Sequence, residues 1–181
     1  YAANKVIDAI KDNNMPDYEQ LKGEALFLRA LGHFNLVRVF GRPYVQNAET
    51  NLGVMIRIDI DNNALPPRST VAEVYQQILK DLKDAADLMT VPKNANYASK
   101  EVAYALLSRV YLYMGENDLA IEYADKVINS GRYALLSASD YVKYPTILPE
   151  NNSEAIFAFR HTLLDDRAKN SISAMYYKGP V

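Results

Sequence analysis

The sequence predicts an all-α fold, a tetratricopeptide-like array of helix pairs with a long loop insertion and an irregular C-terminal segment. Three stretches carry that reading. From Ala25 to Phe40 the strongly polar side chains are Arg29, His33, Asn35 and Arg38. A surface helix shows one apolar stripe. Here one arc holds Leu21, Ala25, Leu28 and Val39, and a second holds Leu26, Phe27, Ala30, Leu31, Phe34 and Val37. Lys22, Arg29 and His33 share a narrow stripe between the arcs, so this is an inner helix flanked on two sides. Residues 71–89 carry one clean apolar face, and residues 99–131 read as two helices joined at a glycine.

The elements follow in order. Ala3, Val6, Ile7 and Ile10 fall at helical spacing within residues 2–12. Asn13-Asn14-Met15-Pro16 ends that helix, and Asp17 stands as N-cap for the next. That second helix stops at Gly41, in the left-handed cap conformation, with Pro43 just beyond. An insertion over 42–69 separates it from its partner helix, the pair spanning 17–89. Thr70-Val71-Ala72-Glu73 is a capping box. Behind it Val74, Tyr75, Ile78, Leu82, Ala85 and Met89 mark the buried face, while Glu73, Gln76, Lys80, Lys83 and Asp87 mark the wet one.

Ser99 opens a helix to about Met114, Gly115-Glu116-Asn117 turns, and a last helix runs from about Asp118 to Ser130 under a Gly131 cap. Tyr104, Leu107, Ser108, Tyr111, Gly115, Ala120, Ala124 and Val127 match the bulky, small and turn positions of a tetratricopeptide repeat. Leu28, Phe34, Val37, Leu107, Tyr111, Ala120 and Ala124 are the expected core. Residues 132–181 are irregular, with Ala155–Phe159 a candidate short strand. Each helix pair buries its face on a neighbour, so residues 1–181 are read as a single helical domain.

Composition narrows the function. Among 181 residues, 49% are hydrophobic and 23% charged, which reads as globular. The net charge is −2, with no basic stripe, which argues against nucleic acid. No apolar run is long enough to span a membrane, since Arg29 and His33 break the best one. There are no cysteines, hence no disulfide, thiol nucleophile or thiolate metal site.

Catalytic signatures are missing: no HExxH, GxSxG, phosphate loop or GxGxxG occurs, and nothing calls for a cofactor. His33 sits in the apolar helix and reads as a core hydrogen-bonding residue. His161 with Asp165 and Asp166 reads as a solvated face before an acid–base site. Asp59, Asp61 and Asn63 alternate like the start of a calcium loop, but Ala64 and Thr70 replace its glycine and closing glutamate, so an EF-hand is rejected and a looser calcium site stays the minor alternative.

Arg29 needs a carboxylate from an adjoining helix or loop to be buried, and it is retained as a candidate ligand contact. Fourteen tyrosines and no tryptophan are present. Tyr75, Tyr104 and Tyr111 fall at core spacings, while Tyr44, Tyr97, Tyr133, Tyr141, Tyr144, Tyr176 and Tyr177 fall in loops or the irregular part. The insertion holds the best candidate binding site: Tyr44 offers an aromatic face, and Gln46, Asn47, Glu49 and Asn51 offer amides and a carboxylate as hydrogen-bonding groups.

The order of residues also resembles a known family. Glu24-Ala25-x-Phe27-Leu28-Arg29-Ala30-x-x-x-Phe34-x-Leu36-Val37-Arg38-x-Phe40-Gly41-x-Pro43-Tyr44 is similar to the signature helix of the SusD/RagB proteins. Arg109–Leu135, RVYLYMGENDLAIEYADKVINSGRYAL, is similar to that family's later helix pair, and Asn152–Phe159 to its "nsEiIF" element.

The resemblance implies a non-catalytic glycan-binding lipoprotein of the Bacteroidetes outer membrane. Such a protein captures oligosaccharide or polysaccharide and loads a TonB-dependent, SusC-like transporter, against which the helical repeats pack. It touches the membrane only through a lipid anchor absent from this chain. Family members are longer, so the chain, starting at Tyr1 and finishing at Lys178-Gly179-Pro180-Val181, is expected to be a fragment lacking a leader and a C-terminal region. The alternative is a tetratricopeptide scaffold that binds a peptide or protein in its groove.

Overall fold

A computed structural model of the chain describes residues 1–10, 17–61 and 63–160. It is helical, and no strand forms among the described residues. Helices α1 (Ala2–Ala9), α2 (Tyr18–Phe40), α3 (Val71–Leu88), α4 (Lys100–Met114) and α5 (Asn117–Ile128) each pack on the next in chain order. A single turn, α6 (Ala138–Tyr141), and two 3-10 turns, Tyr144–Thr146 and Pro149–Asn151, follow. The core lies between α2, α3 and α4, where Phe27, Phe34, Val37, Ile78, Leu82, Leu107 and Val110 are fully buried.

The capping box starts α3 as the sequence requires. Thr70 Oγ1 accepts from Glu73 N–H at 3.2 Å, and Glu73 Oε2 accepts from Thr70 N–H at 2.8 Å. Gly115 closes α4 with φ +83°, a left-handed cap that any side chain would strain. Ser108 Oγ donates to Ala120 O at 2.7 Å, which locks α4 to α5 beside the small Ala120. Phe34, Val37, Leu107, Tyr111 and Ala120 are buried as expected.

Several expectations are corrected. Leu28 is 43% exposed, and Leu21, Leu36 and Val39 are exposed with it. The neighbouring helices meet the arc of Phe27, Phe34 and Val37, leaving the other largely open among the described residues. Ala124 is half-buried. Asp17 makes no side-chain cap bond, because it is itself left-handed at φ 58°. Gly41 is extended, and glycine is needed there because a Cβ would stand 2.8 Å from Val37 O. Ser99 precedes α4 without capping it, since its hydroxyl donates to Glu101 instead. Ala155–Phe159 forms no strand. His161, Asp165, Asp166, Tyr176 and Tyr177 lie outside the described residues.

Candidate functional site

The insertion leaves α2 at Gly41 and returns at Thr70, and its base is stitched shut. Gly53 N–H donates to Ser69 O at 2.7 Å, Ser69 N–H to Val54 O at 3.1 Å, and Val71 N–H to Asn51 O at 2.8 Å. Arg68 spans the neck, donating to the carbonyls of Phe40, Leu52 and Gly53. Three backbone acceptors for one guanidinium leave it little freedom, so the loop leaves the array from a fixed root.

Above that root the chain turns tightly. Gln46 N–H donates to Pro43 O, and Asn47 O accepts from both Thr50 and Asn51 N–H. Asn47 takes φ 57°, a conformation that asparagine tolerates better than most residues. Asn51 Nδ2 donates to Gln46 O. Ala48 is buried, and its carbonyl accepts from Ala72 N–H at 3.0 Å, which ties the turn to the start of α3. The side chains of Gln46, Asn47 and Glu49 are therefore exposed on a braced turn.

Tyr44 is half-buried, with its ring 4.9 Å from that of Tyr75, whose ring lies 6.0 Å edge-on from Phe34. Burial pushes the Tyr75 phenol up to about 12. Burial also raises the Tyr44 phenol, with the nearby Glu49 and Glu116 charges adding to it. Both are neutral hydrogen-bonding groups at any physiological pH.

Arg29 stands apart from this turn. Its Nε and Nη2 donate to Asp81 at 2.8 and 2.7 Å, and its Nη1 donates to Asn4 Oδ1 at 3.2 Å. Asn4 Nδ2 in turn donates to Arg57 O and Asp59 O. The guanidinium thus reaches the far limb of the insertion through Asn4. His33 joins the same limb, its Nε2 accepting from Arg57 N–H at 3.3 Å while its buried Nδ1 has no partner among the described residues. Loss of hydration pushes the imidazole below its ordinary value, Asp81 opposing and Arg29 adding to the shift.

Asp59 and Asp61 each accept from a backbone N–H two residues on, as loop-turn residues do. No group of three or more His, Cys, Asp or Glu able to hold a metal occurs among the described residues. One concavity was not legible in the sequence: the α3–α4 connection, the residues after α5, and residues 149–155 enclose a polar cleft of about 280 Å³.

A family profile described as starch-binding and associating with the outer membrane, SusD-like, matches residues 1–112. The chain belongs to the SusD-like family. SusD-like protein P38 of Formosa agariphila is 28% identical over 187 residues, covering 97% of this chain and 35% of its own length. A SusD superfamily protein of Bacteroides thetaiotaomicron superposes with a TM-score of 0.79 at 36% identity, covering 90% of this chain and 37% of that one. A laminarin-binding SusD-like protein superposes at 0.68 with 26% identity, covering 86% and 34%. The chain therefore spans little more than a third of each. The profile is described as starch-binding and one solved neighbour as laminarin-binding, and the family is one of carbohydrate-binding proteins associated with the outer membrane. No helix among the described residues is long and apolar enough to cross a membrane.

Proposed function

We propose that this chain is the helical scaffold of a non-catalytic, surface-exposed lipoprotein that captures oligosaccharide and delivers it to a TonB-dependent, SusC-like transporter. The observation carrying this reading is the SusD-like match over residues 1–112, which includes the whole of α2 and α3 and the insertion between them. The braced turn of the insertion is our candidate for sugar contact. Gln46, Asn47 and Glu49 supply donors and acceptors for hydroxyls, and Tyr44 supplies an aromatic edge beside them. Arg29 serves this site by holding the far limb of the insertion through Asn4.

Two measurements test the proposal on the full-length protein. Purified receptor should bind an oligosaccharide with a Kd on the order of 1 mM to 1 μM and leave it chemically unaltered. Receptor solubilised from outer membranes should carry a β-barrel transporter with it. Turnover of the sugar, or recovery of the receptor without any transporter under mild detergent, would overturn the corresponding half.

A further inference from the structure

The insertion is one face of the molecule. The polar cleft lies elsewhere, where Lys93, Arg132, Tyr133, Glu150, Asn151 and Ser153 meet. Resting on the glycan-capture reading above, we propose that this cleft is a second subsite, holding one residue of an uncharged glycan. At about 280 Å³ it lies just under the roughly 300–1,000 Å³ of sites that enclose drug-sized ligands, which suits a single ring.

The charges on its wall are already spent. Lys93 pairs with Glu24, Arg132 with Glu101 at 2.7 Å, and Glu150 with Arg160 at 3.1 Å. An ionic ligand would have to strip one of these partners, and separating a partly buried pair leaves a charge uncompensated. What remains available is neutral. The side chains of Asn151 and Ser153 make no hydrogen bond among the described residues and are exposed. Asn94 and Asn152 use their amide oxygens on the backbone N–H of Asn96 and Glu154, and neither NH2 has a partner among the described residues. Amides and a hydroxyl side by side supply the mixed donors and acceptors that vicinal sugar hydroxyls require. The half-buried Tyr133 ring adds an apolar patch to the wall.

The cleft is also preformed. Arg132 Nη2 donates across it to Lys93 O at 2.8 Å, Ala134 N–H donates to Ser153 O at 3.1 Å, and Ala158 N–H donates to Ala95 O at 2.8 Å. Behind it Asn96 donates to Glu150 Oε2 at 3.1 Å. Three chain segments are thus tied before any ligand arrives, which lowers the ordering cost of binding.

The test is calorimetry on the full-length receptor with α-glucan, β-1,3-glucan, xylan and mannan hexasaccharides, and oligogalacturonate as the anionic arm. Ser153→Phe should fill the cleft while keeping the carbonyl that Ala134 uses, and should weaken binding of the preferred neutral sugar more than about tenfold. Asn151→Ala, which disturbs no bond among the described residues, should weaken it about threefold to tenfold, the loss of one or two neutral hydrogen bonds. Melting temperatures should stay at the parent value for Asn151→Ala. Unchanged affinity in both variants overturns the subsite and leaves the glycan-capture reading standing. Preference for oligogalacturonate overturns the uncharged ligand. A parent receptor that binds none of the sugars overturns the capture reading, and the subsite with it.

Discussion

Arg29 of α2 and Asp81 of α3 are joined by two hydrogen bonds across the seam of the core, with the guanidinium 12% and the carboxylate 1% exposed. Asp81 also accepts from Gln77 Nε2 at 2.8 Å, so its oxygens are well supplied with donors. A pair this deep pays heavily for lost hydration, and only its geometry offsets that. What the pair adds is register: Arg29 can meet Asp81 and Asn4 together in one alignment of α2 against α3. That alignment also fixes the backbone of residues 57–59, which hang from Asn4.

Asp81→Ala should therefore cost about 3–5 kcal/mol, because it strands the guanidinium. The double variant Arg29→Met with Asp81→Leu should recover most of that loss. Urea midpoints of the three proteins check the ordering. Hydrogen exchange should show residues 57–59 loosened most in the double variant, which removes the Arg29 donor to Asn4, and less in Asp81→Ala, which keeps that donor but loses its anchor. A double variant as unstable as Asp81→Ala would mean that the ion pair itself, and not its unmatched half, is the stabilising element.

Two glycines in α2 should respond in opposite senses to one methyl group. A Cβ on Gly23 would stand 2.6 Å from Met89 Cγ and 3.1 Å from Ala85 O, so Gly23→Ala should destabilise by about 1–3 kcal/mol through overpacking. A Cβ on Gly32 meets nothing within 4 Å, and Gly32→Ala should stabilise by about 0.5–1 kcal/mol through helix propensity alone. Thermal melts of the 181-residue chain decide the signs. If Gly32→Ala stabilises this chain but destabilises the full-length protein, the open arc of Leu21, Leu28 and Val39 is covered there.

Those two positions also show where sequence reading stops. The periodicity of α2 shows apolar residues on both sides and predicts an inner helix flanked on two sides. Among the described residues, however, one arc is covered and Leu21, Leu28 and Val39 of the other are exposed. The periodicity does not say which arc the helices of this chain occupy, so the predicted core includes Leu28, which the structure leaves exposed. Gly41 ends the helix as the sequence predicts, but close approach to Val37 O and not a left-handed turn excludes a side chain there. The need for an acidic partner to Arg29 was legible. Which of 22 acidic residues supplies it was not, because Asp81 lies 52 positions away and is chosen by packing. The candidate turn was legible because Tyr44 to Glu49 are contiguous. The cleft was invisible, because its walls come from residues 93–95, 132–133 and 149–155 and exist only once three segments are tied together.

His33 should give the protein a pH dependence with a definite sign. Its imidazole is held below the ordinary value of about 6.5 in the folded chain, chiefly by burial. Between the ordinary and the lowered value the unfolded chain binds more protons, so stability rises with pH there. Above the ordinary value the contribution is fully present, and it is lost as pH falls toward the folded value. His33→Leu lowers stability overall by leaving Arg57 N–H without its acceptor, yet it should flatten this part of the profile. Urea midpoints across the acid limb, compared between parent and variant, read the slope. Parallel slopes would remove His33 as the cause.

The last prediction concerns the insertion, where the structure changes which substitutions are informative. Tyr44→Ala no longer isolates a sugar contact, because the ring packs on Tyr75 at 4.9 Å and its loss should also cost about 1 kcal/mol of stability. Asn47→Ala is equally ambiguous, since φ 57° disfavours alanine and the turn would be strained. Asn47→Gly keeps that conformation while removing the amide. Gln46→Ala and Glu49→Ala remove side chains that are exposed, and the backbone carbonyl of Gln46 still serves Asn51. In the full-length receptor each of these three changes should leave the melting temperature within about 1–2 °C of the parent, a shift below 0.5 kcal/mol. Each should weaken oligosaccharide binding about threefold to tenfold if its side chain bonds a hydroxyl. Calorimetry on the triple variant is decisive. A loss of a hundredfold or more assigns the turn to sugar capture, whereas parent affinity in the triple variant makes the insertion a structural clamp on α2 and α3.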